Sequence, residues 1–414
     1  MRNNYHWGIY ITNTSNKKKL IHEFLKNSSY QNIESYVGYK IALFSKINIA
    51  QLIDDEDRYD YKTIAKENNQ SLKSMSSGEQ KKALLKHLFS TDNKVIILDN
   101  VFDNLDIESQ KNIRKTLTEK AEKISFIQLI SRKEDRLPFL THFAALENET
   151  LKTYSSLSSI PFFKNTNTLR GAIPPPINAS NYTGKVLIKL NNITVLFGEK
   201  TVLKNINWQI DRGSFWELIG ANGSGKTTIL SMLTGENPKG YGQDLYIFGK
   251  KKGSGESIWD IKKRIGYFTP SMTDKFKGNH TIENMLISGF NDSIGLYVKP
   301  TDVQRQLVKQ WLKLLQMEDL KDTLFKELSM GQKRVIMTTR AMVKHPELLI
   351  LDEPTAGLDD FSASLLVSLV NKMAQESQTT ILFVSHRREK KLTPQYQYLL
   401  TPSTTGSTGT ITKL

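Results

Sequence analysis

At 414 residues the chain is long enough for two or three domains, and its apolar fraction of 38% and charged fraction of 24% are those of a soluble globular protein. It contains no cysteine, no N-terminal signal core and no run near the roughly 18 apolar residues that cross a bilayer, which excludes thiolate zinc sites and predicts a cytoplasmic location. Residues 1–150 hold 23 Lys and Arg against 20 Asp and Glu, so most of the net charge of +15 lies in the remainder, where it fits nucleic acid, anionic lipid or a solvated lysine-rich surface.

The first predicted elements are a short strand and a polar loop. Apolar Ile9-Tyr10 predicts the strand, and residues 11–18 follow it as a phosphate-binding loop would. Every glycine of such a loop is replaced here, and side chains with Cβ atoms would crowd a cradle that needs glycine torsions. The sequence therefore predicts that this loop binds nucleotide weakly or not at all.

Two strands later in the first half are also not followed by the residue types that catalysis would need. An apolar strand ends in Asp99, but the next residue is Asn100, whose amide cannot accept a proton from water. The strand that ends at Ile130 continues as Ser131-Arg132-Lys133 and offers no histidine. The first half is thus predicted to have no hydrolytic site of its own.

A proline-bearing stretch, Thr166 to Lys185, separates the two halves. Its three consecutive prolines, residues 174–176, cannot continue a helix or pair as a central strand, so a semi-extended linker is expected. Beyond it, alternating apolar residues predict strands over 186–190 and 202–210, and residues 214–219 predict a buried strand that ends on glycines.

A glycine-rich run follows this buried strand and matches the P-loop pattern of glycine, four residues and Gly-Lys-Ser/Thr. Glycines let backbone N–H groups close around phosphates, and a helix that starts near Lys226 adds its positive end. Lys226 is predicted to neutralise phosphate charge, and the Thr227 hydroxyl to bind Mg²⁺. The predicted nucleotide-binding residues are Gly220, Ala221, Asn222, Gly223, Ser224, Gly225, Lys226, Thr227 and Thr228.

Two further strands of the second half end in catalytic residue types. The first, Leu348 to Asp352, is apolar up to its last residue, which predicts a parallel-sheet strand covered on both faces. Asp352 is expected to hold Mg²⁺ through water, and Glu353 to orient and polarise the attacking water. His386 ends the second strand and is expected to contact the γ-phosphate.

A short motif occurs in both halves: Ser76-Ser77-Gly78-Glu79-Gln80 in the first and Ser329-Met330-Gly331-Gln332-Lys333 in the second. In each copy an aspartate, Asp99 or Asp352, lies 21 residues after the glycine, which indicates a duplicated unit. A serine and a glycine before a helix, here predicted over 333–344, can form an anion site or a plain helix cap. Two copies at identical spacing favour the anion site.

Together these motifs resemble the ATP-binding cassette (ABC) family, in which Leu-Ser-Gly-Gly-Gln is the signature sequence. In that family two cassettes sandwich two ATP molecules, each held by the P-loop of one cassette and the signature of the other. The resemblance implies an intramolecular cassette pseudo-dimer with one intact site, which pairs Lys226, Thr227, Asp352, Glu353 and His386 with Ser76 and Gly78. It adds Ser329, Gly331 and Phe197 to the nucleotide-binding residues, Phe197 as an adenine-stacking aromatic or else as a core residue.

The chain departs from the family in the segment where a glutamine loop should fall, because Ile265 to Ser271 contains no glutamine. This weakens the expected Mg²⁺ shell and the coupling to a membrane partner. Longer motifs, over 241–249 and 253–263, look like the tandem-cassette proteins of the ModF and photorepair type.

The resemblance implies an α/β fold with two P-loop NTPase domains of the ABC type. Each would have a mainly parallel sheet flanked by helices, and the second an added antiparallel β subdomain. The predicted boundaries are 1–150 for a degenerate, N-terminally shortened cassette, 151–185 for the linker and 186–414 for a complete cassette.

The leading functional prediction is a soluble ATPase that binds and hydrolyses Mg-ATP at one composite site, as an ATP-driven clamp. It would be transport-associated or regulatory and would work with a membrane permease or another protein, in the cytoplasm or at the membrane periphery. An alternative is a tandem-cassette translation factor on the ribosome, which would use the basic charge, although a short, acid-poor linker argues against it. The third functional prediction is a nucleotide-gated binding module with little turnover. The presence of Glu353 and His386 argues against this prediction.

Overall fold

The structure is a computed structural model, which describes residues 5–26, 33, 36, 39–59, 71–147, 149–160, 169–178, 180, 182–276, 278–293, 295–387 and 389–414. The chain divides into two compact units, one of Met1–Thr166 with Gly357–Phe361 and one of Asn167–Ala356 with Ser362–Leu414. The domain boundaries expected at residues 150 and 185 stay predictions.

The first unit is built on a six-stranded sheet of order β2-β3-β4-β1-β5-β6, parallel throughout except for the last pair. Its strands are β1 (Trp7–Tyr10), β2 (Ile41–Phe44), β3 (Val95–Asp99), β4 (Ser125–Ile130), β5 (His142–Glu147) and β6 (Thr150–Tyr154). Its helices are α1 (Lys17–Leu25), α2 (Lys46–Tyr59), α3 (Ser77–Ser90) and α4 (Ile107–Lys120). Strands β3 and β4 are buried at every residue, as expected of central strands covered on both faces.

The second unit contains two sheets. Its strands are β7 (Val186–Phe197), β8 (Lys200–Asp211), β9 (Phe215–Gly220), β10 (Leu245–Ile247), β11 (Lys250–Lys251), β12 (Ile265–Phe268), β13 (Leu348–Asp352), β14 (Thr380–Ser385), β15 (Tyr396–Thr401) and β16 (Thr408–Lys413). Its helices are α5 (Lys226–Leu233), α6 (Ile258–Arg264), α7 (Pro270–Lys275), α8 (Ile282–Ser288), α9 (Asp302–Leu314), α10 (Met330–Met342) and α11 (Asp360–Glu376). The larger sheet has the order β12-β13-β14-β9-β15-β16, and the smaller, antiparallel sheet has the order β11-β10-β7-β8.

The six-stranded sheets of the two units have the same topology. Strand β1 has the position in its sheet that β9 has in the second unit, and β2 to β6 have, in the same order, the positions of β12 to β16. In both sheets the last strand pairs antiparallel and all other neighbours are parallel. The duplication therefore includes the strand order of the sheet as well as the short motif. The predicted α/β fold with an added antiparallel subdomain is confirmed.

One apolar core joins the two sheets of the second unit around α5. Ile188 and Trp208 of the antiparallel sheet share it with Leu218 of β9, Ile229 of α5 and Ile350 of β13. The Trp208 ring stacks on Tyr398 with 4.1 Å between ring centroids. This packing holds the loop between β9 and α5 against both sheets, and so positions the glycine-rich run.

Two further features bear on the predictions. The helix expected over 333–344 begins at Met330, because Ser329 accepts a hydrogen bond from the N–H of Gln332 and so caps the helix three residues earlier. In the part of the chain that the structure describes, every helix is too short or too polar to cross a membrane.

Candidate nucleotide site

The glycine-rich loop of the second unit takes torsions that side chains disfavour. Gly223 and Gly225 have φ values of 77° and 93°, in the left-handed region. A Cβ added to Gly225 would lie 2.5 Å from Cδ2 of Leu203, and one added to Gly220 would lie 2.9 Å from the carbonyl oxygen of Leu400. The loop therefore requires glycine for its torsions and for its close approach to β8 and β15.

Helix α5 begins directly after this loop with its N-terminus uncovered. Gly225 is the N-cap and supplies no side-chain acceptor, so the first N–H groups of the helix keep their capacity to bind an anion. Lys226 is buried, and its Nζ donates to the carbonyl oxygens of Gly220 and Ala221 at 2.7 and 3.0 Å. A lysine, an open helix N-terminus and a glycine loop together form a site for phosphate groups.

The catalytic carboxylate predicted at Glu353 lies at the end of β13 and contacts the predicted histidine. Glu353 has φ of 48°, and its N–H donates to the carbonyl oxygen of Val384 at 2.9 Å. Its Oε1 forms a 2.8 Å hydrogen bond with Nδ1 of His386. The other ring nitrogen, Nε2, is buried and has no hydrogen-bond partner among the described residues. The structure thus brings Glu353 and His386 together and leaves one imidazole nitrogen for another ligand.

Electrostatics separate the two neighbouring carboxyls. Burial alone would raise the pKa of Glu353, but the hydrogen bond and charge of His386, with Lys226 and Arg387, lower it below its usual value. Burial and the adjacent Glu353 raise the pKa of Asp352 to about 6. Glu353 is therefore the carboxylate available as a base, and Asp352 is the one whose ionisation a nearby cation would favour.

Phe197 lies at the end of β7, and its ring is 47% exposed rather than packed in the core. The Lys239 ammonium lies 5.8 Å from the ring centroid. An exposed aromatic ring can stack on a planar base.

The two copies of the short motif have the same local structure. Ser76 and Ser329 are the N-caps of α3 and α10, with φ of −62° at both and ψ of 158° and 159°. Both form capping boxes, but the partner in the first copy is the carboxylate of Glu79. Oε2 of Glu79 accepts from both the N–H and the hydroxyl of Ser76, at 2.8 and 2.7 Å.

The polar loop of the first unit is filled by its own side chains. Within the described range 5–26 no residue between 11 and 18 has a positive φ. Asn16 caps α1, because its side chain accepts a 3.2 Å hydrogen bond from the N–H of Lys19, and Thr12 donates its N–H to Ser15 Oγ at 2.9 Å. Lys17, the counterpart of Lys226, forms a 2.9 Å ion pair with Asp99. Here side chains of the unit itself cap the helix and pair the lysine with a carboxylate, whereas α5 has no side-chain cap and Lys226 donates to backbone carbonyls.

The strand-end residues repeat as well. Asn100, the counterpart of Glu353, has φ of 50°, close to the 48° of Glu353. Sequence reasoning missed the pair of Thr355 and Glu389, whose side chains hydrogen-bond just beyond Glu353. No motif marks that pair, because its two members are far apart in the chain.

Comparisons with known proteins agree with this architecture. The family profile described as "ABC transporter" matches residues 203–356. The chain is 36% identical over 330 residues to the Escherichia coli K12 "ABC transporter ATP-binding protein ModF", covering 77% of this chain and 67% of that protein. It is 30% identical over 328 residues to an uncharacterized ABC transporter ATP-binding protein of Schizosaccharomyces pombe, covering 77% of this chain and 66% of that one.

Solved structures resemble the chain over nearly its whole length. A model of ribosome-bound archaeal Pelota and ABCE1 matches with a TM-score of 0.65 and 14% identity, covering 99% of this chain and 75% of that one. A complex of the archaeal ribosomal stalk protein with the recycling factor aABCE1 matches with a TM-score of 0.61 and 15% identity, covering 98% and 85%. At such identities the likeness shows the fold alone. The duplicated topology, the glycine loop and these relatives show that the chain belongs to the ATP-binding cassette family and is an ATP hydrolase that binds ATP.

Proposed function

We propose that this ATPase hydrolyses Mg-ATP at one composite site, formed by the P-loop of the second unit and the Ser76-Gly78 signature of the first. The observation that supports it best is the contrast between the two loops. Helix α5 has an uncapped N-terminus beside Lys226, whereas α1 is capped by Asn16 and its lysine is paired with Asp99. In this proposal the first site holds no nucleotide, and the first signature serves its neighbour's site.

The residues of the second unit divide the work of hydrolysis in this proposal. The glycine loop and α5 bind the phosphate groups through backbone N–H groups, and Lys226 neutralises their charge. Glu353, ionised at neutral pH, accepts a proton from the attacking water. Through Nδ1, His386 holds Glu353 in place, and in the protonated form of the ring Nε2 carries a second N–H that donates to the γ-phosphate. Phe197 stacks on adenine.

The donor set of this site fits Mg²⁺. Thr227 is an exposed residue at the start of α5, and Asp352 is a carboxyl whose raised pKa a cation would lower again. A Mg²⁺ ion bound with a nucleotide commonly takes one or two carboxylates from the protein, and phosphate oxygens and waters complete its shell. Thr227 and Asp352 would hold the ion, which when bound neutralises phosphate charge.

The physiological task that the relatives suggest is transport. The relative in Escherichia coli and a zinc uptake protein of Listeria innocua, 32% identical over 204 residues, are both described as ATP-binding proteins of transport systems. We therefore assign the chain to a cytoplasmic or membrane-peripheral ATPase that acts on a permease or another protein partner. The tandem-cassette translation factor is the second candidate, and the basic net charge of +15 is the feature that would serve it.

Replacement of the proposed base tests the hydrolytic assignment. Glu353→Gln should lower kcat by about 100-fold or more while nucleotide binding persists, because the amide keeps the size of the side chain but cannot take a proton. Asn100→Asp changes the counterpart position of the first unit and serves as the matched control, with turnover expected at the wild-type rate. Undiminished turnover in Glu353→Gln would show that another group is the base.

The ATP-locked Glu353→Gln protein also separates the two physiological roles. Co-sedimentation with ribosomes at physiological salt, dependent on ATP, would establish the translation role. ATP-dependent binding to membranes that contain a permease, without ribosome binding, is the result expected for the transport role.

A further inference from the structure

A cavity opens between α3 and α4 in the first unit. Its volume is about 420 Å³, within the range of pockets that hold small ligands or a few peptide side chains. Leu85 and Ile113 line it and are buried, and the half-buried ring of Phe89 lines it as well. The described residues that line it include none of the predicted nucleotide-binding residues. The cavity is therefore a feature that the proposed ATP site does not explain.

Three lysines surround the apolar surface of this cavity. Lys82, Lys86 and Lys120 are exposed and belong to its lining. The Lys120 ammonium lies 5.5 Å from the centroid of the Phe89 ring. Among the described residues that line the cavity, none is an Asp or a Glu. An apolar surface edged by positive charge favours a ligand that has both an apolar group and negative charge.

The corresponding pair of helices in the second unit has no such charge. The ungapped alignment of the two short motifs pairs α3 with α10 and α4 with α11, and both pairs of helices begin at corresponding residues. The three cavity lysines correspond, in order, to Val335, Thr339 and Met373. All three of these residues are buried. The cationic edge is therefore specific to the first unit and is not a property of the duplicated scaffold.

An irregular segment covers the ends of that helix pair in the second unit. Ile173 and Pro174, in the proline-bearing stretch, are buried and belong to no helix or strand. The N–H of Ile173 donates to Glu376, the last residue of α11, and the carbonyl oxygen of Pro174 contacts His345, just beyond α10. One of the two copies of this helix pair thus already binds an irregular apolar segment.

We infer that the cavity between α3 and α4 binds a linear segment of a partner protein, in which acidic residues flank an apolar residue. The apolar side chain enters the cavity against Leu85, Phe89 and Ile113, and the acidic side chains pair with the three lysines. The linear form follows from the segment bound at α10 and α11, and the acidic character follows from the lysines. The inference goes beyond the proposed hydrolysis and does not depend on it.

Binding of a labelled peptide to the full chain tests this inference. The probe is fluorescein-labelled Asp-Glu-Ile-Pro-Asp-Glu, whose central pair copies Ile173 and Pro174, and fluorescence anisotropy without nucleotide gives its Kd. Lys86→Glu combined with Lys120→Glu should raise the Kd about tenfold or more, because two attractions become repulsions. Thr116→Trp, which fills the cavity and keeps the lysines, should also raise the Kd about tenfold.

Matched controls separate the cavity from charge in general. Lys111 and Lys115 are exposed on α4 and are not among the described residues that line the cavity. Lys111→Glu combined with Lys115→Glu makes the same change in net charge and should leave the Kd within about twofold of the wild type. A neutral probe, Asn-Gln-Ile-Pro-Asn-Gln, should bind the wild type about tenfold more weakly.

Several results would overturn the inference. These are the absence of saturable peptide binding, equal weakening by the two pairs of lysine substitutions, equal binding of the acidic and neutral probes, and unchanged binding in Thr116→Trp. Single-stranded RNA is the competing ligand class. Saturable RNA binding that is lost in Lys86→Glu with Lys120→Glu, in a protein that does not bind the peptide, would assign the lysines to nucleic acid instead.

Discussion

One of the three positions at which the two signatures differ is Glu79, which stands where the second copy has Gln332. Its carboxylate accepts a hydrogen bond from the Ser76 hydroxyl. The proposed composite site needs that hydroxyl as a donor to phosphate. The same hydrogen bonds lower the pKa of Glu79, so it carries a negative charge at neutral pH. Glu79 therefore weakens the signature that the proposal makes functional.

We expect Glu79→Gln to lower the KM for ATP several-fold, because the neutral amide would release the Ser76 hydroxyl and remove charge repulsion with phosphate. Steady-state ATPase assays measure this. Gln332→Glu places a carboxylate in the second signature and is the control, since that signature would face a loop without nucleotide. A KM that rises in Glu79→Gln would speak against the proposal. So would a KM that changes in the Gln332→Glu control as much as in Glu79→Gln.

At this scale the sequence predicted the P-loop, Glu353 and His386, because glycine torsions and strand-end carboxylates leave a local pattern. It also predicted that residues 11–18 fail as a phosphate cradle. It could not predict which groups of the chain contact that loop and its lysine. The cap by Asn16 is local, but the ion pair of Lys17 with Asp99 joins residues 82 positions apart and follows only from the sheet order.

The proline-bearing segment is the element whose structure adds most to its prediction. The N–H of Ile173 donates to Glu376 at 2.8 Å, and the carbonyl oxygen of Pro174 contacts Nε2 of His345 at 2.7 Å. Ser180 donates to Glu347 at 3.0 Å. All belong to the second unit, so this part of the expected linker is fastened to the cassette that follows it.

These contacts predict that the free energy of unfolding of the second unit depends on pH. Burial, only partly opposed by the hydrogen bond to Pro174, lowers the pKa of His345. As pH falls through about 6.5, the unfolded chain binds a proton at this site before the folded chain does, so the free energy of unfolding of the second unit decreases. Chemical denaturation between pH 5.5 and 8 measures it.

His345→Asn is the matched variant for this pH series, because asparagine tolerates the left-handed backbone at that position. Its free energy of unfolding should fall less steeply below pH 6.5 than that of the wild type. Equal slopes for the two proteins would show that His345 is not among the groups that set the acid limit.

Sequence periodicity located β7, β8, β9, β13 and β14 of the second unit, but not the start of α10 or the register of β12 on β13. The start of α10 is set by the local capping box between Ser329 and Gln332. The register depends on a non-local fact, the packing of Tyr267 and Ile350 against α5.

For the whole molecule, two sheets of identical topology carry loops of opposite character. One loop is open to phosphate and the other is satisfied by its own side chains, although strand order, strand-end torsions and signature caps are the same in both units. The differences between the two loops lie in their side chains, and the order of the six strands is the same in both units. The first unit keeps the structure of its signature, although side chains fill its own loop. This is expected if the signature of the first unit serves the site of the second.

The central claim is that one composite site accounts for turnover, and the most direct measurement compares the ATPase rates of Ser76→Arg and Ser329→Arg. An arginine at either N-cap removes the hydroxyl and puts a bulky group at the signature. The account predicts that Ser76→Arg loses activity by about 100-fold or more, while Ser329→Arg stays within about twofold of the wild type. Wild-type turnover in Ser76→Arg, or loss of turnover in Ser329→Arg alone, would contradict it.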